Sequence, residues 1–156
     1  MSIIVTNPSE KHVNQMVSLA DEARQHHIAV LGGYFKPIIP AIELDIIHKY
    51  MEPNENHIIM IALDANDNVL GMILGDILDK PWLVCPKVGH VANLIVSVTA
   101  RRKGIGKMLM DAFVSKCKKC GVQEITLGVY NKNKDSYNFY IKYGFEPSEQ
   151  RMSIKL

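Results

Sequence analysis

The sequence predicts a single α/β domain over residues 1–156, built on a central mixed, mostly antiparallel sheet with helices on both faces. Two alternating or apolar runs, separated by a turn-rich cluster at residues 64–68, predict a β-hairpin ahead of a longer apolar strand. That strand, an amphipathic helix and a further strand then form a crossover, which we expect to be parallel and right-handed. With 156 residues, of which 47% are hydrophobic and 22% charged, the chain can bury one substantial core.

The elements follow one another without internal repeats or low-complexity linkers. Period-two alternation and continuous apolar runs predict the strands, and apolar residues at three- and four-residue steps predict the helices. Residues 28–40 stand apart because they are apolar and yet broken by glycines and prolines, which predicts an irregular segment. In chain order we predict a strand at 3–6, a helix from 8 to 20, a helix at 41–50, strands at 57–63, 69–78 and 91–98, a helix at 104–120, a strand at 123–130 and a short helix between Asn133 and Gly144.

Charge, hydropathy and cysteine content exclude several classes of protein. The formal net charge of +2 is too small for a nucleic-acid partner, and the basic residues concentrate in one turn. Because no apolar run could span a bilayer and no signal-peptide pattern opens the chain, we expect a cytoplasmic protein without a membrane partner. Cys117 and Cys120 have the spacing of a zinc or redox half-site. They also lie on the apolar stripe of a helix, so we interpret them as core residues and expect no metal.

Residues 89–107 carry the main functional signal, since a buried strand leads through a basic, glycine-containing turn into a helix. Unpaired N–H groups in the first turn of a helix favour acidic side chains, yet this turn is basic. Its cations are Arg101, Arg102, Lys103 and Lys107. A bound polyanion would relieve their repulsion, and Gly104 and Gly106 would let the backbone donate N–H groups to phosphate oxygens. The alternative is a solvated basic turn.

Spacing excludes two common phosphate-binding loops. A P-loop requires Ser or Thr after its Gly-Lys pair, whereas Met108 follows Lys107 here. A dinucleotide-binding fingerprint requires a third glycine at the position of Leu109. A phosphate-containing ligand of another kind is therefore expected.

The basic turn resembles the acetyl-coenzyme A loop of the GNAT family of N-acetyltransferases, Gln/Arg-x-x-Gly-x-Gly/Ala after a buried strand. Arg101, Gly104 and Gly106 fill its three fixed positions. A second family pattern, Asn-x-x-Ala-x-x-hydrophobic-Tyr followed by Gly-Phe, is matched with one exception, Ser136 in place of alanine. The matching residues are Asn133, Phe139, Tyr140, Gly144 and Phe145. The resemblance covers the back half of the chain in two motifs, and the front half agrees in the order of its elements.

The resemblance implies that acetyl-coenzyme A is the co-substrate and that no metal is needed. The residues it implies for binding this co-substrate are Leu94, Ile95, Val96, Arg101, Arg102, Lys103, Gly104, Ile105, Gly106, Lys107, Asn133 and Tyr140. It also implies transfer of the acetyl group to a primary amine by direct attack in a ternary complex. Tyr140 would protonate the departing sulfur, and a backbone N–H near Val96 would stabilise the carbonyl oxygen.

The base that deprotonates the amine stays open at this point. His90 titrates in the right range and is our candidate, while Asp76, Glu43 and a chain of waters are alternatives. The acceptor is a small-molecule or peptide amine that no motif identifies. Tyr34 and Phe35 either line its pocket or form a subunit contact in a homodimer.

Two other activities fit the same sequence. A non-catalytic sensor would bind coenzyme A without transferring a group, and a transferase of the same fold could use a different acyl donor. Trp82 is a further open question, since it either walls the acceptor pocket or packs its own loop against the domain.

Overall fold

A five-stranded sheet in the order β1-β2-β3-β4-β5 forms the centre of the computed structural model, which describes residues 2–156. Residue 1 of the predicted domain lies outside the described residues. The strands are β1 (Ile4–Thr6), β2 (His57–Leu63), β3 (Val69–Asp79), β4 (Lys87–Val96) and β5 (Glu124–Leu127). The first four strands pair antiparallel, and β5 pairs parallel to β4. The predicted mixed, mostly antiparallel sheet and its parallel crossover are confirmed.

Two pairs of helices cover the two faces of the sheet. The helices are α1 (Val13–Leu31), α2 (Pro40–Met51), α3 (Ile105–Lys119) and α4 (Lys134–Tyr143), with single 3-10 turns at Glu10–His12 and Val98–Ala100. Alternate residues of the strands serve opposite faces: Ile61 and Met72 pack in one core with α1 and α2, whereas Ile73 and Val91 pack in the other with α3. None of these helices is long and apolar enough to cross a membrane.

The two cysteines of α3 and its C-terminal end belong to the α3 core. Cys117 is 1% exposed within that core, and Cys120 packs against it. Burial raises the pKa of the Cys117 thiol to about 11, with the nearby Cys120 adding to the shift. A thiol held protonated is a poor metal ligand and a poor nucleophile. The interpretation of these residues as packing residues is confirmed.

Helix α1 is longer than the sequence pattern predicted. It continues through residues 28–31 and ends at Gly32, which has φ +65°. The predicted irregular segment therefore shrinks to residues 32–39, because its first four residues contain no helix breaker and simply extend the helix. Strand β5 is correspondingly shorter than predicted, since it ends at Leu127 and not at residue 130.

A bulge in β4 determines where its pairing with β5 stops. Leu74 lies opposite Asn93 while Gly75 lies opposite Val91, so Ala92 has no partner across the ladder. Glycine is required at position 75 because a Cβ there would lie 2.6 Å from the Phe113 ring. The ladder between β4 and β5 ends at Val91, immediately before the bulge. Bulges bend a strand, and beyond this one β4 continues without its neighbour.

Candidate functional site

The last part of β4 has a free backbone edge. The N–H of Ser97 donates to the Leu70 carbonyl at 2.9 Å, which is on the β3 side. Because donor directions alternate along an antiparallel strand, the N–H groups of Leu94 and Val96 point away from β3. The Val96 carbonyl confirms this direction, since it accepts a hydrogen bond from Arg101 Nε at 3.2 Å. With β5 already ended, these donors face an open gap.

The N-terminus of α3 is a second set of free backbone donors. Gly104 is the N-cap and has φ +80°, a conformation that strains any other residue, and no side chain caps the helix. The first helical hydrogen bond runs from the Met108 N–H to the Gly104 carbonyl at 3.0 Å. The N–H groups of residues 105–107 consequently have no helical acceptor. This turn is suited to an anion, as the sequence predicted.

Three of the four cations near this turn have partners within the chain. Lys103 Nζ donates to the Thr99 carbonyl at 3.1 Å, and Lys107 Nζ lies 2.7 Å from the Asp111 carboxylate. Arg101 is held by the Val96 carbonyl, as described above. Arg102 alone of the four has no hydrogen bond or ion pair to any of residues 2–156, and it is held at φ +63°. The repulsion predicted from the sequence is thus partly relieved inside the protein, and Arg102 is the cation left for a ligand.

Helix α4 forms the opposite wall and is capped as predicted. The Asn133 side chain accepts a hydrogen bond from the Ser136 N–H at 3.3 Å, and Gly144 ends the helix at φ +117°. Helix α4 lies close to the start of α3, and a Cβ at Gly106 would make an ordinary contact of 3.4 Å with the Phe139 ring. The contact between the two helices therefore does not require a glycine at this position.

The open edge of β4, the turn before α3 and helix α4 surround one groove of about 1000 Å³, which extends to α1 and α2. Eleven of the predicted site residues line it, while Lys103 and His90 do not. The eleven are Leu94, Ile95, Val96, Arg101, Arg102, Gly104, Ile105, Gly106, Lys107, Asn133 and Tyr140. Burial raises the pKa of Tyr140 to about 12, so its hydroxyl stays protonated at neutral pH and can donate a hydrogen bond.

His90 lies in a different part of the sheet. It precedes Val96 by six residues, roughly 20 Å along a strand, and its Nδ1 lies 3.1 Å from Thr126 Oγ1. Its neighbour across the ladder is Asp76, whose carboxylate accepts a hydrogen bond from Tyr50 at 2.8 Å. The structure does not bring His90 and Tyr140 together, and the role of His90 as base stays a prediction.

The structure also shows where the alternative bases and the aromatic residues of the two loops lie. Of the alternative bases, Glu43 lines the groove and Asp76 does not. Trp82 lies in the loop between β3 and β4, at the far end of β4 from the groove, and is 76% exposed. It is therefore not a wall of this groove. Tyr34 and Phe35 contact each other and the ring of Tyr130 just after β5, with ring centroids 5.1 to 5.6 Å apart.

Sequence reasoning missed three residues on α1 that line the groove, namely Arg24, His26 and His27. They were overlooked because the helix was expected to stop near Ala20. Continuing the same helical periodicity places Ala23, Arg24 and His27 on the face that already carried Ala20, since residues three and four apart are neighbours. The periodicity itself was the available signal.

Comparisons with known proteins agree with this geometry. The model of the acetyltransferase (GNAT) family matches residues 19–145. Glucosamine 6-phosphate N-acetyltransferase 1 of Oryza sativa subsp. japonica is 24% identical over 100 residues, which are 64% of this chain and 59% of that enzyme. The match thus spans less than two thirds of the rice enzyme.

Two solved structures share the fold. A mutant of the BH1408 protein from Bacillus halodurans has a TM-score of 0.88 at 21% identity, and the alignment covers 98% of this chain and 99% of that one. AAC(6')-Iy, solved with the bisubstrate analogue CoA-S-monomethyl-acetylneamine, has a TM-score of 0.76 at 14% identity, with 100% and 99% covered. The family uses acetyl-coenzyme A. Because the family model matches most of the length of this chain, the chain belongs to the acetyltransferase (GNAT) family.

Proposed function

We propose that this protein transfers the acetyl group of acetyl-coenzyme A to a primary amine by direct attack in a ternary complex. One observation carries the proposal: the free edge of β4, the uncapped N-terminus of α3 and the Tyr140 hydroxyl all border one groove. The rice relative, named as an N-acetyltransferase, supports the same class of reaction.

The residues present fit the co-substrate in three places. The free N–H groups at the start of α3, with Arg102 beside them, suit a pyrophosphate. The Leu94 N–H suits an amide carbonyl of the pantetheine arm, which would extend the sheet in the gap that β5 leaves. Tyr140, on the facing helix, suits the thioester end.

When bound, acetyl-coenzyme A supplies a thioester whose carbonyl carbon forms the new C–N bond while its C–S bond breaks. The Val96 N–H, the other free donor of β4, lowers the energy of the negative charge that gathers on the carbonyl oxygen. The Tyr140 hydroxyl donates a hydrogen bond to the departing sulfur. An amine of ordinary pKa, about 10.4 for lysine, must first lose a proton to a base.

We propose Glu43 as the base that acts inside the groove, and His90 as a base only if a chain of waters connects it. The variants Glu43→Gln and His90→Asn separate these assignments. Removing the true base should lower kcat/KM at neutral pH. This loss should disappear above the pKa of the amine, where the amine needs no base. A variant whose loss is the same at every pH removes something other than the base.

The test of the function itself is release of free coenzyme A thiol from acetyl-coenzyme A against a panel of amines, with calorimetric binding measured in parallel. We expect binding of coenzyme A and amine-dependent thiol release. Stoichiometric binding without thiol release would instead identify a sensor, and absence of any affinity for coenzyme A would refute the assignment of the groove.

A further inference from the structure

The end of the groove formed by α1 and α2 is separate from the phosphate turn and has its own charges. Arg24, His26 and His27 of α1 and Glu43 of α2 line this end, between apolar side chains. We call these four residues the acceptor cluster. If acetyl-coenzyme A occupies the β4 edge and the α3 turn, this end is what remains for the second substrate.

Arg24 is oriented but lacks close partners. Its guanidinium carbon lies 4.8 Å from the centre of the Phe35 ring, and the side chain is 30% exposed. Its shortest polar contacts are 3.5 Å to the Lys36 carbonyl and 3.8 Å to the Glu43 carboxylate. Good N–H···O hydrogen bonds measure about 2.7–3.2 Å, so Arg24 makes no short one here. A stacked guanidinium with free donors matches the planar, two-oxygen face of a carboxylate or phosphate.

The two histidines contribute further ring nitrogens to this end of the groove. Neither the His26 nor the His27 ring forms a hydrogen bond within residues 2–156, and the His27 ring packs 5.7 Å from that of Phe35. Burial, followed by the charges of His26 and Arg24, lowers the pKa of His27. Loss of the His27 proton reduces its repulsion with these charges, whereas an anion bound beside His27 would raise its pKa. Glu43, 17% exposed, is the one carboxylate of the cluster. One of its oxygens forms a long ion pair with Arg24 at 3.8 Å, and the other oxygen remains available for an ammonium group.

We propose that the acceptor is an amine that also carries a carboxylate or a phosphate, with the anion bound by Arg24 and His27 and the ammonium placed at Glu43. The proposal rests on the proposed function and narrows it to a substrate class. Polycationic acceptors, such as linear polyamines and aminoglycosides, are disfavoured because Arg24 repels them.

The experiment compares acceptors that differ only in the anionic group: glucosamine 6-phosphate against glucosamine, and an amino acid against its amide. The first pair tests a phosphate and the second a carboxylate. We expect the anionic member of at least one pair to have the higher kcat/KM, through a lower KM. Equal use of both members in both pairs, or preference for spermidine over all of them, overturns the proposal.

The variant Arg24→Gln tests the residue. It should raise the KM of the preferred acceptor roughly 10- to 100-fold, the range of a charge-assisted hydrogen bond, while the neutral partner and the affinity for coenzyme A change little. Lys36→Gln is the matched control, since it removes an exposed cation from the same region without lining the groove. An equal effect of the two variants, or an equal loss for charged and neutral acceptors, contradicts the assignment.

Calorimetry separates the failure of this proposal from failure of the proposed function. The four compounds are titrated into protein saturated with coenzyme A, so that binding is read without turnover. Tighter binding of an anionic amine that Arg24→Gln abolishes supports the acceptor cluster even if no thiol is released, in which case only the transferase assignment fails. Thiol release with neutral amines alone, and no binding preference, leaves the function and overturns the cluster.

Discussion

Replacing Tyr140 by Phe is the most informative single change, because it removes one hydroxyl and leaves the packing intact. The ring contacts Phe139 and Phe145, with centroids 5.3 and 5.8 Å away, and Phe preserves both contacts. Burial is the one cause that raises the pKa of this residue, to about 12, so no hydrogen bond to the protein is lost with the hydroxyl. We therefore expect unchanged folding at neutral pH.

The raised pKa also bears on how Tyr140 would assist the departing sulfur. A thiol resembling cysteine has a pKa of ~8.5, so full proton transfer from a phenol of pKa about 12 would be uphill by ~5 kcal/mol. In the proposed reaction, Tyr140 would consequently act by a hydrogen bond to the developing thiolate, and not by giving up its proton outright. A hydrogen bond to a charged group contributes ~1.5–3 kcal/mol, which corresponds to a ~10- to 100-fold fall in kcat on its removal.

The assay is thiol release at saturating substrate, with the dissociation constant of coenzyme A measured by calorimetry. Tyr140→Phe should lower kcat and leave that constant unchanged. Tyr137→Phe, on the same helix but outside the groove lining, is the control and should change neither. An unaltered kcat, or a parallel loss of coenzyme A affinity, would refute a role confined to the departing sulfur.

Three further predictions test parts of the site separately. Gly104→Ala places a side chain at φ +80° and should cost about 1 kcal/mol of stability, which thermal melts measure. Gly106→Ala should keep stability, since its Cβ makes an ordinary contact, but should weaken coenzyme A binding, which calorimetry measures. Arg102→Glu should weaken coenzyme A binding, and this loss should shrink as the salt concentration is raised. Lys103→Glu, at a residue outside the groove, should have little effect on binding, and equal effects of the two variants would contradict the assignment of Arg102. Because the folded-state pKa of Tyr140 exceeds its ordinary value of 10.0, stability is full below pH 10 and falls as pH rises toward 12, by about 2–3 kcal/mol for this residue. Urea unfolding at pH 9 and pH 11.5 should show a smaller fall for Tyr140→Phe, and an equal fall would show that the hydroxyl is not buried.

Local sequence patterns were sufficient to predict the elements whose structure is determined by residues close together in the chain. The hairpin of β2 and β3 follows from alternation around one turn, and α4 was bounded by its cap residues Asn133 and Gly144. The partner of Lys107 was also readable, since Asp111 lies four residues further along the same helix.

Features that depend on distant residues were not readable. The free edge of β4 exists because a bulge at Ala92 ends its pairing with β5, and that bulge accompanies the contact of Gly75 with Phe113, 38 positions apart in the chain. The acceptor cluster was hidden for a different reason. The helix was expected to end near Ala20, although the mostly polar residues 21–27 continue its periodicity, so the helical face that carries Arg24 was not recognised.

The gap beyond Val91 connects the two faces of the sheet, and this gives the proposed reaction its geometry. Leu94 and Val96 pack with the α3 core, whereas Ile95, between them, packs with the α1 core. A complete sheet would separate these faces, yet one groove reaches both Tyr140 on α4 and Arg24 on α1. In the proposed complex, a co-substrate along α3 and α4 and an amine held by α1 and α2 would therefore meet at the free edge of β4 from opposite sides. In the proposed reaction the amine can then approach a face of the planar carbonyl group, which is the arrangement that attack on the carbonyl carbon requires.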